Sequence, residues 1–286
     1  MVITELHAEH SRSFETNRYV YPVLSRRAGG LSIGVNLNPD KICNFDCVYC
    51  QVDRSIPGAT KIVDLSLLAA ELGSMLESVS SGEIWRHVKF RDLPARLRTV
   101  HDIAFSGDGE PTTCRQFEAV VQVAADLKRA AGLERVKLVL ITNASRLHRE
   151  AVQRGLAIMD RNQGEIWAKL EAGTSSYYQQ IDRSRVPFER ILANITAAAR
   201  VRPIVIQALF LRLAGEPPSV AELEAFCERL REILVAGGRI SLVQVYTVAR
   251  RPAERSVTAL SDAEVDAITR MVSERTGLRA ESYYGG

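Results

Sequence analysis

EIWAKLEA, residues 165–172, has the length of a β-strand and divides by parity. Ile166, Ala168, Leu170 and Ala172 form one apolar face, while Trp167, Lys169 and Glu171 form the other, because successive side chains of a strand point to opposite sides. Five further runs share this length and composition: LSIGVNL (31–37), DIAFSG (102–107), KLVLIT (137–142), PIVIQALFL (203–211) and ISLVQVYT (240–247). Between them lie segments with apolar residues at helical spacing, such as Leu65, Leu68, Leu72, Met75 and Leu76, or Phe117, Val120, Val121, Ala124 and Leu127. Further helices are expected at about 146–158, 188–200, 219–235 and 261–276, with Ser219 and Ser261 each followed three residues later by Glu222 and Glu264 as in a capping box. Six strand-then-helix units predict parallel strands joined by right-handed crossovers. Parity favours a curled sheet over a doubly wound one. Gln207 interrupts an apolar run in the fifth strand, and Gln244 and Tyr246 share a face in the sixth. Helices cover the apolar faces, so the polar faces of several strands look into a cavity. The expected fold is α/β, a partial (β/α)6 TIM-like barrel with parallel strands, its site in the loops at the C-terminal strand ends.

Residues 31–286 form this core, and residues 1–30 read as a polar N-terminal extension with a candidate extended piece at Tyr19 and Tyr21. The Arg-rich stretch 80–98 reads as an insertion before the second strand. A hydrophobic fraction of 46% with 18 Gly and 10 Pro in 286 residues excludes disordered, collagen-like and low-complexity classes. A chain of this size buries a core without a disulfide or metal staple, so a bound metal would be there for chemistry. The balance of 37 basic against 34 acidic residues does not call for a polyanionic partner. The start shows no cationic segment leading into an apolar run, and nowhere do 18 apolar residues follow one another. The expectation is a cytoplasmic protein with no membrane partner. Lysine is scarce, with six at positions 41, 61, 89, 128, 137 and 169, which makes Lys169 inside a strand conspicuous.

Three of the five cysteines, Cys43, Cys47 and Cys50, fall in NLNPDKICNFDCVYCQVDR (36–54), directly after the first strand. Thiols this close favour zinc or an iron–sulfur cluster, and three ligands leave a four-iron cube with one iron free of protein. Structural zinc would need a fourth ligand, usually from a second close pair. Cys114 and Cys227 stand alone in helical patterns.

The spacing Cys43-x3-Cys47-x-Tyr49-Cys50 resembles the signature of the radical S-adenosylmethionine (radical SAM) enzymes. FSGDGEPTT (105–113), at the end of the second strand, is similar to that family's glycine-glycine-glutamate motif, with Asp108 where glycine is frequent. LITNAS (140–145) is similar to its loop near the ribose of S-adenosylmethionine, although Asn143 also reads as a helix cap. Lys169 and Glu171 point inward together and read either as a structural ion pair or as ligand contacts. The core as a whole resembles the branch related to wyosine-type tRNA-modifying enzymes, through GVNLNPDKICNFDCVYCQ, FSGDGEPT, WAKLEAGT, VIQALFL and QVYTVARRPAE. Cys114 and Cys227 cannot form the set of a second cluster, so a single cluster is expected, with neither a C-terminal Cys-rich extension nor an N-terminal cobalamin domain expected.

The resemblance implies one [4Fe–4S] cluster on Cys43, Cys47 and Cys50. It also implies S-adenosylmethionine bound by Tyr49, Gly107, Asp108, Gly109, Glu110, Asn143, Lys169 and Glu171, with Tyr49 near adenine and Lys169 near the methionine carboxylate. Reductive cleavage to a 5′-deoxyadenosyl radical acting on an unidentified substrate is the activity implied, with a flavodoxin- or ferredoxin-like one-electron donor as partner. Two rivals stand beside it: a tRNA-modifying enzyme of the same class, for which Arg250, Arg251 and Arg255 are the candidate basic cluster, and a non-catalytic iron–sulfur electron-transfer protein. Gln207, Gln244 and Tyr246 are candidates for lining the remaining cavity. No acid or base catalyst is assigned.

Overall fold

A computed structural model describes residues 14–58, 62–250, 252 and 254–285. They fall into two compact units, one within residues 1–42, 57–141 and 149–165, the other within 43–56, 142–148 and 166–286.

The first unit holds strands β1 (Val20–Ser25), β2 (Gly30–Val35), β3 (Val100–Phe105) and β4 (Lys137–Thr142) with helices α1 (Leu65–Ser80), α2 (Phe117–Ala130) and α3 (Glu150–Asp160). β2, β3 and β4 run parallel, as the alternation predicts, while β1 is antiparallel to β2 with Val20 opposite Val35. β1 is the extended piece within the N-terminal extension, and Pro22 suits its place at the sheet edge, where a missing N–H costs no ladder bond. Glu71 of α1 is buried and ties down the start of β1 by accepting from the amides of Arg18, Tyr19 and Val20 at 2.8, 2.8 and 3.1 Å. The apolar stripe of α2, from Phe117 to Ala124, is buried as expected. Gly155 lets α3 approach it: a Cβ there would lie 2.7 Å from the Phe117 ring. Buried Lys128 donates to the carbonyls of Glu134, Val136 and Asn162 at 3.3, 2.6 and 2.9 Å, joining the end of α2 to the turns that follow α2 and α3. The insertion at 80–98 contains two short 3-10 turns, Glu83–Arg86 and Ala95–Leu97.

The second unit holds β5 (Gly164–Lys169) from Ile166 onward, β6 (Ile204–Leu209), β8 (Ile240–Tyr246) and β10 (Ala280–Tyr283), with α4 (Ser175–Asp182), α5 (Phe188–Val201), α6 (Val220–Val235) and α7 (Asp262–Thr276). The pairs β5–β6, β6–β8 and β8–β10 are parallel, and beyond a register shift at Ile204/Val205 Lys169, Gln207, Gln244 and Glu281 form one row across the strands. A separate ribbon pairs β7 (Arg212–Leu213) with β9 (Val257–Thr258). The strand order is β1-β2-β3-β4 in the first unit and β5-β6-β8-β10 in the second, and parallel strands with helices between them are the partial TIM-like α/β class expected. α5, α6 and α7 begin and end within a residue of their expected bounds, whereas α3 begins at Glu150 rather than near 146. The capping box forms fully at Ser261 and Glu264 but only by half at Ser219, because the Glu222 carboxylate is engaged elsewhere. No helix among the described residues is long and apolar enough to cross a membrane.

Candidate functional site

In the second unit the cysteine segment carries no regular structure, yet its backbone is held. Asp46 and Val48 donate their amides to the carbonyls of Asp182 and Ile181 at 3.1 and 2.9 Å, and Cys50 donates to the Cys47 carbonyl at 3.0 Å. Asn44 donates to Ser145 Oγ at 2.8 Å and accepts from Asn143 Nδ2 at 3.0 Å. Asn143 Oδ1 accepts from the amide and hydroxyl of Ser145 at 3.1 and 2.6 Å across Ala144, which has φ +61°. This is an Asx turn. The helix-cap reading of Asn143 is therefore corrected: α3 begins seven residues later, with Arg149 at its cap.

Cys43, Cys47 and Cys50 are half-buried and free of disulfides. Cys47 Sγ donates to Asp182 Oδ1 at 3.3 Å, and Cys50 Sγ accepts from Arg54 Nη1 at 3.1 Å. Among the described residues no trio of His, Cys, Asp or Glu is gathered tightly enough to hold a metal ion. The donor chemistry nevertheless fits an iron–sulfur cluster. Three thiols lie within eight residues on a loop fixed at Asp46 and Val48, and the Arg54 guanidinium donates to Cys50 Sγ. Burial, followed by the Asp182 and Glu171 carboxylates, pushes the Cys47 thiol well above its ordinary range.

Beside this segment lies a buried polar cluster. Tyr49 donates its hydroxyl to Glu171 in a short bond and accepts from Lys169 Nζ at 2.9 Å, while Lys169 Nζ also pairs with Glu171 Oε1 at 2.9 Å. Asp182, buried at the end of α4, completes the cluster with Oδ1 at 3.4 Å from Tyr49 OH. Burial, the largest single effect, would lower the Lys169 ammonium, but Glu171, Tyr246 and Cys47 together outweigh it and hold the group above the ordinary lysine range. Burial and the neighbouring carboxylate push Asp182 upward. Lys169 and Glu171 therefore form an ion pair, one of the two readings of their shared face. Gln207 and Gln244, expected to line a cavity, are 0% and 2% exposed and bond to each other, Nε2 to Oε1, at 2.8 Å. Arg183 grips Glu254 through both guanidinium nitrogens, and Gln51 Nε2 donates to the Arg250 carbonyl at 3.0 Å. Arg251, in the candidate basic cluster, lies outside the described residues.

In the first unit the Gly107–Glu110 bend follows β3. Asn36 holds it reciprocally, donating from Nδ2 to Asp108 Oδ2 at 2.6 Å and accepting from the Asp108 amide at 3.1 Å. Both glycines are needed for close approach: a Cβ on Gly107 would lie 2.2 Å from Asn36 Oδ1, and one on Gly109 2.3 Å from the Ile42 carbonyl oxygen. Glu110 is buried and its Oε1 accepts from Thr112 N and Oγ1 at 3.1 and 2.5 Å, capping the 3-10 turn Pro111–Thr113. Sequence reasoning did not single out Asn36, Asn38 or Asp182. The Asn-x-Asn pattern after a strand was the available signal for the first two; Asp182 gave none, since only the packing of α4 brings it to Cys47.

Residues 37–212 match the family model described as the Radical SAM superfamily. The chain is 31% identical over 178 residues to a UPF0026 protein of Methanocaldococcus jannaschii, covering 62% of this chain and 48% of that protein. A UPF0026 protein of Helicobacter pylori is 23% identical over 248 residues, covering 85% and 70%. A protein named GTPase Obg from Brachyspira hyodysenteriae is 22% identical over 254 residues, covering 88% of this chain but 33% of that one. The chain thus spans half or less of two of these relatives. It contains no Gly-x4-Gly-Lys-Ser/Thr phosphate loop. Among solved structures, SuiB of Streptococcus suis bound to S-adenosylmethionine superposes with a TM-score of 0.56 at 14% identity, covering 91% of this chain and 48% of that one. TYW1 with a lysine-pyruvate adduct bound gives 0.51 at 13% identity, covering 86% and 74%. These likenesses establish a shared fold. Because the family match runs from Leu37 to Arg212 and so takes in more than half of the sequence, the chain belongs to the radical SAM superfamily.

Proposed function

We propose that this protein reductively cleaves S-adenosylmethionine at one [4Fe–4S] cluster held by Cys43, Cys47 and Cys50, generating a 5′-deoxyadenosyl radical that acts on an organic substrate. The observation that carries this reading is that the family match contains all three cysteines and every residue proposed for S-adenosylmethionine, from Tyr49 to Glu171. Bound, the cluster and S-adenosylmethionine supply the electron transfer and the radical; the chain supplies ligation, orientation and exclusion of water. Gly107, Asp108, Gly109 and Glu110 orient the methionine end, and Tyr49 and Asn143 lie toward the nucleoside. Lys169 has three N–H donors, of which Glu171 and Tyr49 take two, and the third suits a ligand carboxylate. That commitment to an ion pair does not suit Lys169 to the carbonyl adduct named for TYW1, which requires a neutral amine. The proposal further places the core at 31–286 behind an extension at 1–30, in the cytoplasm, with a flavodoxin- or ferredoxin-like electron donor.

A tRNA substrate is the second reading, favoured by the likeness to TYW1. Against it, Arg183 beside the candidate basic cluster is already neutralised by Glu254. A salt-sensitive complex with tRNA would support this reading, and no binding at low salt would sink it.

The test is anaerobic reconstitution followed by S-adenosylmethionine and dithionite. The expected product is 5′-deoxyadenosine. A fully reconstituted protein that never cleaves S-adenosylmethionine overturns the enzyme reading and leaves electron transfer. Cys47→Ala is expected to lose both bound iron and cleavage, and survival of the cluster would refute the three-ligand assignment.

A further inference from the structure

Asn36 and Asn38 follow β2 and face the Gly107–Glu110 bend within the first unit. The Asn36 oxygen is filled there: Oδ1 accepts from the amides of Asp108 and Asn38 at 3.1 and 3.0 Å, while Nδ2 donates to Asp108. Asn38 is different. Its side chain is 6% exposed, and its Nδ2 donates to Thr113 Oγ1 at 3.1 Å. The hydroxyl hydrogen of Thr113 is already committed to the Glu110 carbonyl at 2.7 Å, so Thr113 Oγ1 can only accept from Asn38. That accounting fixes the amide orientation and leaves Asn38 Oδ1 as a buried acceptor to which no described residue donates. Buried acceptors rarely go unfilled in native proteins, and each exception calls for a partner.

The position of this oxygen indicates the partner. A Cβ on Gly109 would lie 2.9 Å from Asn38 Cγ, so the amide rests directly against the bend. A second acceptor, the Ile42 carbonyl oxygen, lies 2.3 Å from the same Cβ position. An unfilled acceptor calls for a donor, and at the methionine end of S-adenosylmethionine only the ammonium donates, the carboxylate being an acceptor and the sulfonium carrying no hydrogen on sulfur.

We propose that Asn38 is a further ligand residue, its Oδ1 accepting a hydrogen bond from the primary ammonium of the methionine moiety seated on the Gly107–Gly109 bend. This rests on the S-adenosylmethionine reading above. It assigns Thr113 as the positioning residue that holds the Asn38 amide in the accepting orientation.

The experiment compares two ligands by equilibrium dialysis against the reconstituted, unreduced protein, in which no cleavage occurs. S-adenosylmethionine carries the ammonium; 5′-methylthioadenosine keeps the nucleoside and sulfur without it. Asn38→Leu, which removes the acceptor at similar size, is expected to weaken S-adenosylmethionine by about tenfold or more, the range for a hydrogen bond to a charged group, with 5′-methylthioadenosine unchanged. Asn38→Asp keeps an acceptor and adds charge, so it should bind S-adenosylmethionine at least as tightly as the wild type. An Asn38→Leu protein that binds S-adenosylmethionine like the wild type, or that loses both ligands alike, overturns the assignment. If Asn38→Leu does not fold, Asn38→Asp decides alone: selective weakening of S-adenosylmethionine overturns the assignment. A wild type that binds neither ligand removes the S-adenosylmethionine reading itself, and this assignment with it.

Discussion

Cys47 Sγ donates to the Asp182 carboxylate at 3.3 Å, and on either side of that cysteine the amides of Asp46 and Val48 donate to the carbonyls of Asp182 and Ile181. The last carbonyls of a helix have no partner within it. Here α4 gives two of them to the cysteine segment, and Arg183, at φ +46°, turns the chain away. The segment is thus laid strand-like on the helix end. Metal-free protein is expected to show slowed hydrogen exchange at Asp46 and Val48 and faster exchange at Phe45 and Cys47. Uniformly fast exchange from 45 to 48 would show that the segment is ordered only by metal.

Two glycines with opposite surroundings separate close approach from helix propensity. Gly109→Ala would place a Cβ 2.3 Å from the Ile42 carbonyl oxygen and 2.9 Å from Asn38. Backbone must move to admit it, which costs about 1–3 kcal/mol and is expected to weaken S-adenosylmethionine binding. Gly73 sits inside α1 with its nearest neighbour 3.9 Å from the new atom. Gly73→Ala is expected to stabilise by up to about 1 kcal/mol through helix propensity. Denaturant midpoints of the two variants should move in opposite directions, and equal shifts would remove the packing argument at Gly109.

What could be read from the sequence and what could not follow from the same physics. Strands such as KLVLIT and helices such as Phe117–Ala130 announce themselves because burial of one face imposes a period. β1 was obscured by Pro22 and by apolar residues on both faces, β10 has only four half-buried residues, and α4, reading SSYYQQID, has no apolar stripe. At the site, cysteine spacing and glycines are local signals. Asp182 and Glu222 act on partners 135 and 49 residues away in sequence, and a contact of that kind leaves no pattern in the chain itself.

Glu222 illustrates the consequence. Its place three residues after Ser219 suggested a capping box, but its carboxylate accepts from the Gly173 amide at 2.5 Å and from Thr174 Oγ1 at 2.6 Å, pinning the loop that follows Glu171. Gly173 is pressed against the α6 backbone, where a Cβ would lie 2.1 Å from Phe226 N. Glu222→Ala leaves the buried Gly173 donor without its partner and is expected to cost about 2–3 kcal/mol, while Glu222→Gln, which keeps an acceptor oxygen, should cost about 1 kcal/mol. Denaturant unfolding measures both. Equal losses would mean that the charge, not the acceptor, holds the loop.

The final prediction concerns Asp102, buried in β3 and bonded to the Ser32 hydroxyl of β2. Burial pushes its carboxyl from 3.8 up to about 6, against the opposing effect of the Ser32 bond. A raised carboxyl means that the folded state binds its proton more tightly than the unfolded state does. Well below pH 4 both states are protonated and folding carries no penalty; as pH rises through 4 to 6 the folded state alone retains the proton, and stability falls until the carboxylate forms. A shift of this size corresponds to a loss of about 3 kcal/mol, complete above pH 6. Asp102→Asn keeps an oxygen for Ser32 and cannot ionise, so it should match the wild type near pH 3 and exceed it in stability at pH 8. Denaturant midpoints at those two pH values check this, and an Asn variant less stable than the wild type at pH 8 would show that the Ser32 bond to an ionised Asp102 outweighs the cost of burying its charge.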